Sequence, residues 1–201
     1  MTDHLLASCL ITTVASLIGR EGREPALTTA ALLQAADPAP LARPALPCDD
    51  DTAIRAVFAQ TPLPTSAHIL SAQALIPWGS NPVAQRLAPH ERPPYCVATL
   101  LGPDGPLPCA THRAGFFFQR PNTYYGLHRH NAAETYTIIA GSALWTAGGS
   151  TQMRHAGDAI HHPSLMPHAF RAGPSGFVAI WRWDGDIAID SYEMLPDPLS
   201  A

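Results

Sequence analysis

The sequence is short of charge, and the charge it has carries little bias. Charged residues make up 14% of the 201, and the formal net charge is −4, against a usual charged share of about 25%. No basic stripe is available for nucleic-acid phosphates or for an anionic membrane surface. The four cysteines, Cys9, Cys48, Cys96 and Cys109, are scattered and form no C-x-x-C. Free thiols in a reducing, cytoplasmic setting are expected. Long apolar runs are also missing. The best candidate, Leu5 to Ile18, is too short to span a bilayer. It follows Asp3 with no Lys or Arg, and no A-x-A site comes after it, so it does not match a secretory leader. Its Leu5, Leu6, Cys9, Leu10, Thr13 and Leu17 fall at helical spacing. That predicts an amphipathic helix packed on the rest of the fold, with Thr2 or Asp3 capping its first turn.

What is plentiful is apolar material, at 46%, together with 21 prolines and ten histidines. The apolar share is enough for a core in one domain, or one domain with a helical extension. Residues 26–36, after Pro25, suit a helix start. A proline-rich connector runs from Pro38 to Pro47. Further helical segments are expected from Asp50 to Ala59, from Ser66 to Ile76 and, as a single turn, from Asn81 to Leu87. Residues 1–85 therefore read as a helical extension. From Tyr95 the texture changes to short β-rich runs broken by glycine turns. Strands are expected at Cys96–Leu101, Gly115–Gln119, Glu134–Ala140, Ala143–Ala147, Thr151–His155, His168–Arg171 and Phe177–Trp183. Spacing near ten residues predicts a mainly β domain over 86–201, an antiparallel β-barrel or jelly roll. The tail from Asp184 onward is expected to be an irregular or partly helical cover.

The chemistry is concentrated in His128-x-His130-x3-Glu134-x-Tyr136. His128 and His130 share strand parity, as do Glu134 and Tyr136. On one straight strand His128 would lie roughly 20 Å from Glu134, at about 3.3 Å per residue. The chain must therefore turn at Asn131-Ala132-Ala133, and a hairpin would bring both pairs to one interior. A further ligand must come from elsewhere, and His168 is the best candidate. Imidazole and carboxylate together suit one divalent transition metal: Zn, Fe, Mn, Co or Ni.

Both runs resemble the two motifs of the cupin family. The first, Gly-x5-His-x-His-x3,4-Glu-x6-Gly, is met at His128, His130, Glu134 and Gly141, with Asn122 in place of the opening glycine. The second, Gly-x5-7-Pro-x-Gly-x2-His-x3-Asn, is met at Gly157, Pro163 and His168. Leu165 stands where it has its inner glycine, and Ala172 where it has asparagine. The tyrosine at Tyr136, the Tyr124-Tyr125 pair and Trp181-Arg182-Trp183 are similar to the cupin-type dimethylsulfoniopropionate (DMSP) lyases, and to their DddQ branch in particular.

That resemblance implies a cupin barrel with a packed helical extension and a β-elimination that gives dimethyl sulfide and acrylate. It implies His130, Glu134 and His168 as firm ligands, with His128 and Tyr136 as additional candidates. A phenol has a pKa of about 10, and a nearby divalent cation lowers it. Tyr136 is then the expected base and Tyr125 the second choice. Tyr125 and Trp183, with His128, would meet the substrate, their aromatic faces holding a sulfonium by cation–π contact. Tyr124, Trp145 and Trp181 are expected to be structural, with Trp181 facing away from Trp183. Of His161 and His162 only one can face the site, and the bland expectation is a surface histidine. The same ligand set would serve another cupin enzyme, such as a dioxygenase or a small-acid or sugar isomerase, or a non-enzymatic ligand-binding cupin. A small-molecule substrate, no nucleic acid, no membrane, and a homodimer as the candidate assembly complete the expectations.

Overall fold

The structure is a computed structural model that describes residues 2–60, 63–84, 93–197 and 199. Four helices come first: α1 (Asp3–Gly19), α2 (Glu24–Ala35), α3 (Asp51–Gln60) and α4 (Ser66–Ser71). Thr2 caps α1 through its side chain, which accepts from the Leu5 amide. Pro25 occupies the first turn of α2, where its missing N–H costs nothing. The segment expected as one helix from Ser66 to Ile76 ends at Ser71 and finishes as a short 3-10 turn. Only residues 81–84 of the turn expected over Asn81–Leu87 are described, and the expected 85/86 boundary lies outside the described residues. No helix among the described residues is long and apolar enough to cross a membrane.

Nine strands follow: β1 (Tyr95–Gly102), β2 (Leu107–Pro108), β3 (Arg113–Gln119), β4 (Tyr124–Arg129), β5 (Ala133–Ala147), β6 (Ser150–His155), β7 (Ala159–His162), β8 (His168–Asp184) and β9 (Glu193–Met194). The expected breaks at Gly141 and at Gly173–Gly176 are bends, not turns. β5 and β8 run through them and pair antiparallel with each other along their whole lengths, with register shifts at Ile138/Ala140 and Gly141/Ala143. Gly141 takes φ 78°, and a Cβ there would lie 2.1 Å from the Gly176 carbonyl oxygen. Only glycine allows that approach.

The turn at Asn131–Ala132 is present, but β4 and β5 do not form a hairpin. Both pair with β8 instead. β8 is flanked by β3 and the first half of β5 along Phe177–Asp184, and by β4 and the second half of β5 along His168–Ala172. That bent strand closes the barrel. The connection 130–132 is an arc from one side of the barrel to the other.

The strands separate two cores. On the outer face, α1, α2, α3 and α4 pack with Ala98, Leu100, Phe116, Phe118, Ile139, Val178 and Ile180. α1 lies mainly on α2 and α4, and it is α3 that rests on β5 and β8. The α1–α2 turn is pinned by ion pairs. Arg182, 1% exposed, meets Glu21 (Nε–Oε2 2.8 Å, Nη2–Oε1 2.6 Å) and Asp184, and Thr135 Oγ1 donates to Glu21 at 3.0 Å. Burial opposes the Arg182 charge, but Glu21 and Asp184 outweigh it and hold the guanidinium above its ordinary pKa. The inner core lines the barrel and is mostly aromatic.

Candidate metal centre

The arc between β4 and β5 turns His130 back toward Glu134. β8 supplies His168 opposite His128 in register. The ligand atoms of His130, Glu134 and His168 lie within 4.8 Å of one another, and all three side chains are buried. Glu134 Oε2 stands 3.2 Å from His130 Nε2 and 3.1 Å from His168 Nε2. The other ring nitrogens are committed. Nδ1 of His130 donates to the Ala132 carbonyl at 3.0 Å, that of His168 to Met166 at 2.9 Å and that of His128 to Gly126 at 2.8 Å. A carbonyl only accepts, so each Nδ1 carries a proton, and Nε2 of each ring is the nitrogen turned inward. Two Nε2 atoms then face one carboxylate oxygen. His168 Nε2 is buried without a hydrogen-bond partner. Two imidazole nitrogens and a carboxylate oxygen gathered at this distance are a donor set that fits a divalent transition metal.

Glu134 is the hinge of the group. Its Oε1 accepts from Trp183 Nε1 at 2.6 Å. Burial alone would raise its carboxyl, but the ring nitrogens of His130, His162 and His168 gathered around it hold it well below the ordinary carboxylate range. His128 lies beside the trio, its ring stacked on Tyr125 at 4.2 Å and edge-on to His168 at 4.0 Å. Burial and the neighbouring His168 push its pKa well below the ordinary value.

The trio opens onto a pocket walled by Val97, Phe117, Tyr125, Tyr136, Trp181 and Trp183 among others. Tyr136 follows Glu134 by two residues on the same inward face. Burial first, and the Glu134 charge second, hold its phenol well above 10. Tyr125 is raised in the same way, by burial and then by Tyr192. Tyr124 stays outside, its hydroxyl donating to Asp197 at 2.7 Å. Trp145 is buried in the inner core, stacked on Phe170 at 4.0 Å.

Three expectations about side chains change. Trp181 does not face away from Trp183: both line the cavity, with rings 5.8 Å apart, because residues two apart on a strand share a face. His162 is no surface histidine. It is 1% exposed and pairs in register with Glu134, while His161 pairs with Thr135 on the other face. Alternation told that one would face inward, but only the β5–β7 register tells which. Tyr192, in the tail, was missed altogether. β9 pairs with β4 and carries its ring in beside His128, with its hydroxyl against that of Tyr125. No spacing in the sequence signals it.

Two motif departures are explained by backbone. Asn122 and Leu165 replace the expected glycines, and they are the only non-glycine residues with positive φ among those described, at 58° and 62°. The turns keep the glycine conformation without the glycine. Asn tolerates it, whereas Leu is strained there by roughly 1–2 kcal/mol.

Comparison with known proteins gives three findings. The family model described as DMSP lyase (dimethylsulfoniopropionate lyase) matches residues 74–179, just over half of the 201. The dimethylsulfoniopropionate lyase DddQ of Ruegeria pomeroyi (strain ATCC 700808 / DSM 15171 / DSS-3) is 31% identical over 119 residues, 59% of this chain and 59% of that protein. Among solved structures, the chain resembles one from the crystal structures of DMSP lyases RdDddP and RnDddQII (TM-score 0.63, 21% identity, 77% of this chain and 81% of that one). It also resembles DMSP lyase DddQ from Ruegeria pomeroyi DSS-3 (TM-score 0.60, 24% identity, 78% and 82%). The structural matches establish the fold, a cupin barrel with helices packed on it.

Proposed function

The chain belongs to the dimethylsulfoniopropionate lyase family, and on that premise we propose that it cleaves dimethylsulfoniopropionate into dimethyl sulfide and acrylate by metal-dependent β-elimination. The observation that carries the reading is the buried convergence of His130, Glu134 and His168 on a cavity whose other walls are aromatic and include two phenols. Those three residues would hold one divalent transition metal. When bound, it supplies positive charge beside a substrate carboxylate and beside Tyr136, favouring carbanion character at the adjacent carbon and the phenolate as base.

The protein's own groups do the rest. Tyr136 takes the proton from the carbon next to the carboxylate. The C–H electron pair becomes the double bond of acrylate, the C–S bond breaks, and its pair leaves on sulfur as neutral dimethyl sulfide. The faces of Tyr125, Trp183 and Tyr192 hold the sulfonium by cation–π contact. That attraction ends when the sulfur becomes neutral, which favours release. Tyr136 is preferred over Tyr125 because its side chain meets Glu134, one of the three residues that would hold the metal, whereas the Tyr125 hydroxyl meets Tyr192.

The test is headspace gas chromatography for dimethyl sulfide. Protein loaded separately with zinc, iron(II) and manganese is mixed with dimethylsulfoniopropionate without oxygen. Metal-dependent dimethyl sulfide with matching acrylate is expected, falling to the metal-free level in Glu134→Gln. No gas from folded, metal-loaded protein would remove the substrate and turn attention to oxygen-dependent or isomerase chemistry.

A further inference from the structure

One buried titratable group beside Glu134 and His168 has no part in that chemistry. His162 stacks on His168 with ring centroids 4.1 Å apart and planes 9° from parallel. Its two nitrogens meet different partners. The indole N–H of Trp145, which can only donate, points at His162 Nε2 at 2.9 Å. Nε2 is therefore the acceptor, and the neutral ring carries its proton on Nδ1. Nδ1 lies 3.7 Å from Glu134 Oε2 and has no hydrogen-bond partner. This reverses the use of the nitrogens in His130 and His168, where carbonyls hold Nδ1 and Nε2 is the nitrogen turned toward Glu134.

We propose that Trp145 and His162 form a relay that positions Glu134 for metal binding. Trp145 sets the tautomer of His162, and the Nδ1–H of His162 is a donor aimed at the Glu134 carboxylate, not a further metal ligand. The inference rests on the metal-centre reading above. A ligand would need a lone pair at Nδ1, and the indole N–H at Nε2 denies it. Trp183 holds the other oxygen of the same carboxylate. Glu134 is thus gripped by an N–H donor on one oxygen and approached by one on the other. Both donors come from strands that pair with β5 at Glu134 itself, β8 through Trp183 and β7 through His162. Groups that orient a ligand in this way typically change metal affinity by about 10–100-fold when removed.

The test reads zinc affinity of the full chain, with no substrate present, by competition against a chromogenic chelator. His162→Ala is expected to weaken zinc binding by about 10–100-fold. His162→Asn places an amide N–H close to the position of Nδ1 and is expected to recover most of the loss. A merely structural role would not give that rescue. Trp145→Phe leaves His162 in place but frees its tautomer, and is expected to weaken zinc severalfold. Unchanged affinity in His162→Ala, or in Trp145→Phe, overturns the relay. So does a His162→Asn variant no better than the alanine one. X-ray absorption showing one nitrogen neighbour fewer around zinc in His162→Ala than in the parent would make His162 a ligand and overturn it too. A parent that binds zinc but makes no dimethyl sulfide would remove the substrate reading and leave this one standing.

Discussion

On β3, Phe116 and Phe118 turn outward beneath the helices, while Phe117 between them turns into the barrel. On β8, Val178 and Ile180 go out, and Ala179, Trp181 and Trp183 go in. The same strands thus serve two cores built to different ends. The outer core is chiefly aliphatic, with Leu10, Val14, Leu33 and Ile54 of the helices against the sheet. Arg182, the most deeply buried cation among the described residues, is paired with Glu21 and Asp184. Aliphatic side chains fill space and bury nothing polar, so this layer supplies stability. The inner core is made of Tyr, Trp, Phe and His. Rigid rings can wall a cavity without filling it, and their hydroxyl and N–H tips still find partners. Buried polar groups there, such as His168 Nε2 and His162 Nδ1, are left without hydrogen-bond partners. The lesson is that stability and chemistry are segregated by strand parity, one residue apart.

Substitutions on the two sides should therefore behave differently. The largest expected effect is on the inner side: Tyr136→Phe should cut dimethyl sulfide formation by about 10²–10⁴-fold, with metal content by atomic emission and unfolding midpoint near the parent's. Unchanged turnover with metal retained would take the base role from Tyr136. On the outer side, Arg182→Met leaves Glu21 and Asp184 facing an apolar layer. A loss of about 3–5 kcal/mol is expected in denaturant unfolding, with turnover per folded molecule near that of the parent. If turnover fell with stability preserved, the separation of the two faces would be wrong. The smallest expected effect is a gain. Leu165→Gly relieves the strained φ of 62° of roughly 1–2 kcal/mol, partly offset by the freer unfolded chain, for a net stabilisation of about 0.5–1 kcal/mol. A thermal melt checks it, and no gain would mean that the leucine side chain makes up for its strain by packing.

Much of this was legible in the sequence, for reasons that can be named. The helical extension followed from spacing and from Pro25, and the barrel from alternation and glycine turns. Spacing and a turn gathered His128, His130 and Glu134, and the resemblance to the cupin motifs singled out His130, Glu134 and His168 as the firm set. What misled was glycine. Gly141 and Gly173 read as turns, yet they are bends within two long strands, because a glycine permits either and only the facing strand decides which. The motif glycines misled in the opposite sense. Asn122 and Leu165 hold a left-handed turn that their identities do not announce.

By itself the sequence determined which chemistry was available: an imidazole and carboxylate set, phenols beside it, and strand parity to sort them by face. Those depend on covalent identity and on a period of two residues, both local. The tertiary structure alone decided which strand neighbours which. It made β4 and β5 partners of β8 instead of each other, turned His162 rather than His161 toward Glu134, and brought Tyr192 back from the tail to the barrel mouth. Pairing over such separations is fixed by burial of whole strand faces, and no short run of residues carries that information.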